Sequence, residues 1–181
     1  MSTTEATTPE PFSRIKVRVT GLVFCGTDVA LLRRDRADSV HWTTIGGNVQ
    51  DGEDYREAVL RELEEELGLG PGLASTAPEL IWMADARITR PGPTPSPRKF
   101  HLIYRLHVTP EVRARLATQE FDELPDGGHE VGTVEWHDWR KVDALPLFPP
   151  IGTQIAALAS PTAPVHRFEL EPITDENYTW I

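Results

Sequence analysis

The sequence predicts a single α/β or α+β domain, and three observations carry that reading. The 181 residues suit one domain rather than two. Short runs of alternating apolar and polar residues, the period of half-buried strands, surround one segment with the 3.6-residue period of an amphipathic helix. No repeat, low-complexity array or linker divides the chain.

The elements follow in order. Residues 1–13 are Thr/Glu/Pro-rich and read as a flexible leader, with the domain proper over 14–160 and a tail over 161–181. Ile15, Val17 and Val19 alternate with Lys16, Arg18 and Thr20, which predicts a first strand. Gly26-Thr27-Asp28 turns the chain into Val29-Ala30-Leu31-Leu32, the return strand of a hairpin, and Arg33-Arg34-Asp35-Arg36 reads as its exit into a polar loop. A short segment around Trp42-Thr43-Thr44-Ile45 precedes Gly46-Gly47.

The clearest helix runs from about Glu53 to Leu67, with Asp51 as N-cap, Asp54 reaching back to it, and Gly68 then Gly70-Pro71 as the stop. Leu80–Met83 and Phe100–Leu106 read as strands, separated by the proline-rich loop Arg90–Pro97. A polar loop is expected over Gln119–His129, a strand over Val131–Trp136 and an amphipathic helix over Ile151–Ala159. The aromatic tail ending Tyr178-Thr179-Trp180-Ile181 is expected to dock on the domain or on a partner subunit.

Composition removes several function classes. A hydrophobic content of 39% provides a core, which argues against a disordered chain. The net charge of −10 is the reverse of what phosphate neutralisation on nucleic acid requires, so a phosphate-rich ligand would need a divalent metal as counterweight. The single cysteine, Cys25, lies in the apolar run Gly21–Cys25; it excludes an intrachain disulfide and reads as a buried small hydrophobe. No segment resembles a signal peptide and no run approaches the roughly 20 apolar residues of a membrane helix, so a cytoplasmic location is expected.

The segment Gly47–Leu69 concentrates the chemistry. It holds eight acidic residues and two arginines. At roughly 100° per residue, with Glu62 at zero, Glu65 falls near −60° and Glu66 near +40°, so three carboxylates share one face of the helix. Val59, Leu60, Leu63 and Leu67 fall on the core-facing side, and Ala58 lies one turn before Glu62, where it leaves room for a ligand. Like charges this close raise one another's proton affinity, whereas a hard divalent cation with oxygen ligands stabilises them. Taken alone, the helix reads first as an acidic solvated face supported by pairs such as Glu57–Arg61.

The rest of the segment decides between the two. Gly47, Glu53, Arg61, Glu62, Leu63, Glu65, Glu66, Gly68 and Leu69 stand at the spacing of the signature of the Nudix hydrolases, which this stretch resembles at all nine defined positions. Gly46 and Gly52 fit the longer form of that signature. The resemblance implies an α/β/α sandwich around a mixed sheet. It also implies hydrolysis of a nucleoside diphosphate linked to another moiety, with water attacking phosphorus and Mg2+ or Mn2+ as cofactor.

Carried over residue by residue, it makes Glu62, Glu65 and Glu66 the metal ligands, with Glu65 and Glu66 also in the catalytic set. It makes Glu53 a support for the metal or its water, and Arg61 the residue that orients these carboxylates. A further glutamate outside the signature serves in several members as ligand or base. Glu130, expected on the loop before a later strand, is the candidate, with Glu120 and Glu123 as rivals. A homodimer is a habit of the family. Two departures, Ile45 where proline commonly precedes the glycine pair and Gln50 for a frequent acid, lie outside the defined positions.

Specificity has to come from elsewhere. Arg33, Arg34 and Arg98 are the candidates for binding substrate phosphates, while Lys99 and His101 flank the proline-rich loop. Trp42 and Phe100 read as base-stacking residues or as core. Asp85 occupies the place of the proline associated with ADP-ribose hydrolysis, and the coenzyme A, NADH and dinucleoside-polyphosphate marks are absent. Nucleoside triphosphates and nucleoside diphosphate derivatives remain, and the alternative to an enzyme is a nucleotide-metabolite sensor on the same fold.

Overall fold

The structure, a computed structural model, describes residues 15–89, 97–123 and 129–179, with the backbone alone at 122, 123 and 129. The leader, the proline-rich stretch 90–96 and the terminal Trp180-Ile181 lie outside the described residues. Among those described, the strands are β1 (Lys16–Cys25), β2 (Asp28–Arg36), β3 (Ser39–Thr43), β4 (Glu79–Arg87), β5 (Lys99–His107), β6 (Gln119–Glu123), β7 (His129–Asp138), β8 (Leu147–Phe148) and β9 (Ile173–Thr174). The helices are α1 (Tyr55–Leu67), α2 (Pro110–Arg113) and α3 (Gly152–Ala156), with a 3-10 helix over Trp139–Ala144.

The strands form one mixed sheet in the order β6-β7-β2-β1-β5-β4-β9, and β3 branches from β2 to pair with β8. β1 runs parallel to β5, while β2 pairs antiparallel with β7 and β4 with β5. Alternation along the strands sends side chains to two apolar layers. Val19, Val23, Leu102 and Leu106 pack beneath Val59, Leu63 and Leu67 of α1. Leu22, Phe24, Leu31 and Ile103 face the other way, toward Val142, Ile151 and Ile155. The architecture is an α/β/α sandwich on a mixed sheet.

Several elements differ from the sequence reading. β2 does not end at Leu32; Arg33, Arg34, Asp35 and Arg36 continue it, opposite Trp42, His41, Val40 and Ser39 of β3. A uniformly polar run hid the alternation, because the inward member, Arg34, is buried by ion pairing rather than by apolar character. The expected loop Gln119–His129 contains β6, a charged edge strand of the kind that resists pairing with other chains. α3 is shorter than expected, covering Gly152–Ala156.

α1 starts later than predicted. Asp54, not Asp51, is the N-cap: its carboxylate accepts from the Arg56 N–H at 2.8 Å, and Glu57 accepts from the Asp54 N–H at 3.3 Å. Glu53 is turned back toward Arg61, so the helix begins beyond it. The buried arc is also rotated. Leu60 is exposed, whereas Ala58 is fully buried in the core rather than leaving room for a ligand. The rotation carries Glu62 to the edge of the core, at 8% exposure.

The tail lies along β4. The Met83 N–H donates to the Phe168 carbonyl at 2.7 Å, Leu170 N–H donates to the Met83 carbonyl at 2.9 Å, and β9 pairs with Ala86 and Arg87. Cys25 is buried as a free thiol.

Candidate active site

β1 and β2 pair directly only near their turn, at Phe24–Val29 and Cys25–Asp28. Beyond that the two strands part, and residues 44–49 take over the edge of β1. Gly21 N–H donates to the Ile45 carbonyl at 2.9 Å, Val19 N–H to Gly47 at 2.9 Å, and Val49 N–H to Val17 at 3.0 Å. The parting leaves a cavity of about 420 Å³. It has an acidic wall from α1, a second wall from β2 and β7, and a third side from β1, β5 and Phe148.

On the first wall, α1 presents Glu62 and Glu66 to the cavity. The Gly46 N–H donates to Glu66 Oε2 at 3.1 Å. The Glu62 carboxylate lies against the Gly47 backbone, where any Cβ would collide with it, so glycine at 47 forms a cradle for a carboxylate. Arg61 ties the wall together. Its Nε donates to Glu53 Oε1 at 2.7 Å, and its Nη1 to Glu62 Oε1 at 2.7 Å and to Glu65 Oε2 at 3.1 Å.

The Arg61 hydrogen bond, with a second from the Gln50 N–H, holds the Glu53 carboxyl below its ordinary pKa. Glu53 therefore serves as an ionised anchor for Arg61. Glu65 is on the same face as Glu62 and Glu66, but its carboxylate is largely exposed and does not line the cavity.

The second wall has the same logic on strands. Arg34 Nη2 donates to Glu120 Oε2 at 2.9 Å, and its Nη1 to Glu130 Oε2 at 3.3 Å. Arg34 lies opposite Gly132 on β7, and Gly132 lies opposite Glu120 on β6. A Cβ on Gly132 would come within 2.8 Å of Glu120 Oε2, so the missing side chain lets the arginine meet Glu120 across the intervening strand. Glu130 stands within β7, not on a loop before it, because the strand starts at His129. It faces the cavity from there, with Arg36 Nε 3.7 Å from its Oε1. Glu120 is buried against Arg34, and the side chain of Glu123 lies outside the described residues.

Of the three arginines expected to meet substrate, only Arg34 lines the cavity. Arg33 points away and pairs with Asp35 at 2.9 Å and Glu135 at 3.4 Å. Arg98 makes two hydrogen bonds to Asp85, at 2.8 and 2.7 Å. Trp42 and Phe100 pack against the two core layers.

The sequence did not single out Arg18, which lines the cavity and donates to the Gly46 carbonyl at 3.0 Å. As a polar residue on an alternating strand it looked like solvent face. Lys99, His101 and Phe148 complete the lining.

The donor set suits a hard divalent cation. The carboxylates are oxygen ligands, and the Gly47 cradle brings Glu62 to the cavity edge. Among the described residues no three such side chains already converge on one point. The oxygens of Glu62 and Glu66 are instead satisfied by Arg61 and by the Gly46 N–H.

Comparison with known proteins places this geometry. The NUDIX domain model matches residues 15–158. This chain belongs to the NUDIX family. It is, by class, a pyrophosphohydrolase, and the family acts on small nucleotide derivatives with divalent cations.

Solved NUDIX structures share the fold. A MutT protein from Methanosarcina mazei Go1 is 17% identical, with a TM-score of 0.54 over 79% of this chain and 91% of that one. A mutT/nudix family protein from Listeria innocua is 18% identical, with a TM-score of 0.53 over 82% and 90%. A C. elegans Ap4A hydrolase is 15% identical, with a TM-score of 0.53 over 77% and 92%. No curated protein matches in sequence. Among the described residues, no helix of this NUDIX protein is long and apolar enough to cross a membrane.

Proposed function

We propose that this chain hydrolyses a phosphoanhydride bond in a nucleoside diphosphate linked to another moiety, either a nucleoside triphosphate or a nucleoside diphosphate derivative. Glu62, Glu65 and Glu66 would hold magnesium or manganese. The observation that carries the reading is the lining of one cavity, which Glu62, Glu66 and Glu130 share with Arg18, Arg34 and Lys99. Carboxylates for a cation and cations for phosphate oxygens are the two things a net-acidic protein needs for a polyphosphate substrate.

The bound cation would neutralise charge on the phosphates and polarise their oxygens. Arg61 holds the largely buried Glu53 and Glu62 in one orientation and makes a longer bond to the exposed Glu65. Exposure leaves Glu65 free to swing toward a cation bound beside Glu62 and Glu66. Glu130 is the proposed base, placed on the cavity wall to take a proton from the attacking water. Arg34 and Arg36 fix its carboxylate there, and Glu130 accepts that proton through an oxygen these arginines release when phosphate draws them. Arg33 and Arg98 receive no substrate role, since both are paired with acids outside the cavity.

The test is phosphate release from nucleoside triphosphates, nucleotide sugars, ADP-ribose and dinucleoside polyphosphates. Magnesium or manganese is present, with and without coupling pyrophosphatase and phosphatase. Dinucleoside polyphosphates belong in the panel because one structural neighbour is an Ap4A hydrolase. Metal-dependent release from one class supports the reading and names that class. Silence across the panel, with nucleotides still raising the melting temperature, would overturn it in favour of a sensor.

A further inference from the structure

The third side of the cavity holds a group that hydrolysis does not use. His101, on β5, is 1% exposed and lines the cavity, yet neither of its ring nitrogens has a hydrogen-bond partner among the described residues. Buried polar atoms are nearly always paired, because leaving one unpaired sacrifices its hydration for nothing. The strand register puts His101 opposite Arg18 on β1 and Ala84 on β4, neither of which supplies it a bond.

The ring is nevertheless held in place. It meets Phe148 edge-on, with centroids 5.8 Å apart and planes at 80°, and Phe148 packs in turn against Tyr178 of the tail at 5.4 Å. Burial, reinforced by the charges of Arg18 and Lys99, pushes the imidazole pKa down to about 3. The ring is therefore neutral at physiological pH and offers one N–H donor and one lone pair.

A neutral ring nitrogen at a cavity wall suits a neutral ligand group that donates to it or accepts from it. Phosphate is served instead by the arginines and Lys99 of the same cavity. We propose that His101 reads the uncharged end of the substrate, bonding one ring nitrogen to a neutral donor or acceptor and thereby setting which nucleoside compound the enzyme prefers. Two sources share that chemistry, the hydrogen-bonding edge of a nucleobase and a sugar hydroxyl. A ligand that bonds one of the nitrogens relieves part of the cost of burying them unpaired, and one that leaves both bare carries all of it. The proposal rests on the nucleotide reading of this cavity but not on turnover.

Binding therefore tests it. The α,β-methylene analogues of ATP, GTP, CTP and UTP, and their 2′-deoxy forms, are titrated by calorimetry into wild-type protein and His101→Phe, which keeps a flat ring and removes both nitrogens. The wild type is expected to favour one analogue by about tenfold or more, and His101→Phe to reduce that preference to about threefold or less. Loss of discrimination among bases assigns the contact to the base edge, and loss between ribose and deoxyribose assigns it to the hydroxyl. A preference unchanged in His101→Phe, or absent in the wild type, overturns the proposal.

Because the variant has to fold for that comparison, the wild type alone provides a second reading. The 15N resonances of the His101 ring should move when the preferred analogue binds, and stationary resonances overturn the proposal. If no compound in the hydrolysis panel turns over while these shifts appear, pyrophosphohydrolysis fails and the His101 contact stands.

Discussion

The two acidic walls of the cavity use one device at different sequence distances. On α1, Arg61 gathers Glu53, Glu62 and Glu65, which lie eight, one and four residues away. On the strands, Arg34 gathers Glu120 and Glu130, which lie 86 and 96 residues away. The α1 wall has one open member, Glu65 at 58% side-chain exposure, with freedom to re-aim at a cation, while Glu53 and Glu62 at 13% and 11% stay where Arg61 holds them. The strand wall is closed at its centre, with Arg34 and Glu120 at 9% and 6% and committed to one another, while Glu130 at 25% is its more open member. The α1 wall therefore offers the more exposed carboxylate for exchange during a reaction, and the strand wall the more deeply buried ion pair.

The largest effect that would break this contrast belongs to the α1 wall. Glu66→Gln and Glu65→Gln should fold normally and lose metal-dependent turnover by about 10²–10³-fold, roughly 3–4 kcal/mol of transition-state stabilisation. Steady-state kinetics with a manganese titration measures it. Near-wild-type rates in both variants would remove the metal assignment from this face of α1.

The strand wall should show the opposite balance, with stability lost first. Arg34→Ala leaves Glu120 buried without its guanidinium, and a broken buried pair of this kind costs about 3 kcal/mol or more. Replacing both partners with apolar residues, as in Arg34→Met with Glu120→Leu, should recover much of that loss, because the pair's own desolvation disappears with it. Urea denaturation of the two variants decides between this account and one in which Arg34 matters only to substrate. Equal midpoints for wild type and Arg34→Ala would contradict the committed-pair reading.

The third side contributes through acid stability. The unfolded His101 takes up a proton near its ordinary pKa of 6.5, whereas the folded ring, hemmed in by burial, Arg18 and Lys99, resists protonation down to about 3. Between those values the unfolded chain binds more protons, so stability falls as pH is lowered, by about 1.4 kcal/mol per unit from this group. Carboxylates such as Glu53 and Asp85, also held below their ordinary values by arginine partners, add losses in the same direction at lower pH. His101→Phe should therefore flatten the melting-temperature profile between pH 6 and pH 4 relative to the wild type. Parallel profiles would mean that His101 is not kept neutral by the fold.

The difference between the walls also explains what the sequence made legible. Glu53, Arg61, Glu62 and Glu66 are fixed relative to one another by helix geometry and one turn, so their spacing alone brings them together. Arg34, Glu120 and Glu130 meet only through the registers of β2, β7 and β6, and Gly132 between them carries no signal a reader could weigh. β6 was read as loop because its charges mark an edge strand and mimic a solvated turn. Arg18 is similarly hidden, since a polar residue in a strand pattern looks like its wet face until a parting of strands encloses it. Alternation and helix period carry the α/β or α+β reading, the resemblance over Gly47–Leu69 carries the sandwich, and the far half of the site rests on register.

The smallest expected effect sharpens the boundary of the legible wall. Asp54 caps α1 and closes a reciprocal pair with Glu57, whereas Asp51 makes no such cap. Asp54→Ala should cost about 1 kcal/mol, and Asp51→Ala should stay within about 0.5 kcal/mol of wild type. The cap lies one residue beyond Glu53, whose carboxylate anchors Arg61. Fraying the first turn should therefore loosen the anchor as well as the helix, and raise the manganese concentration needed for half-maximal activity in Asp54→Ala alone. If Asp51→Ala proved the more damaging change, the helix would start a turn earlier, and Glu53 would belong to α1 rather than to the loop that braces it.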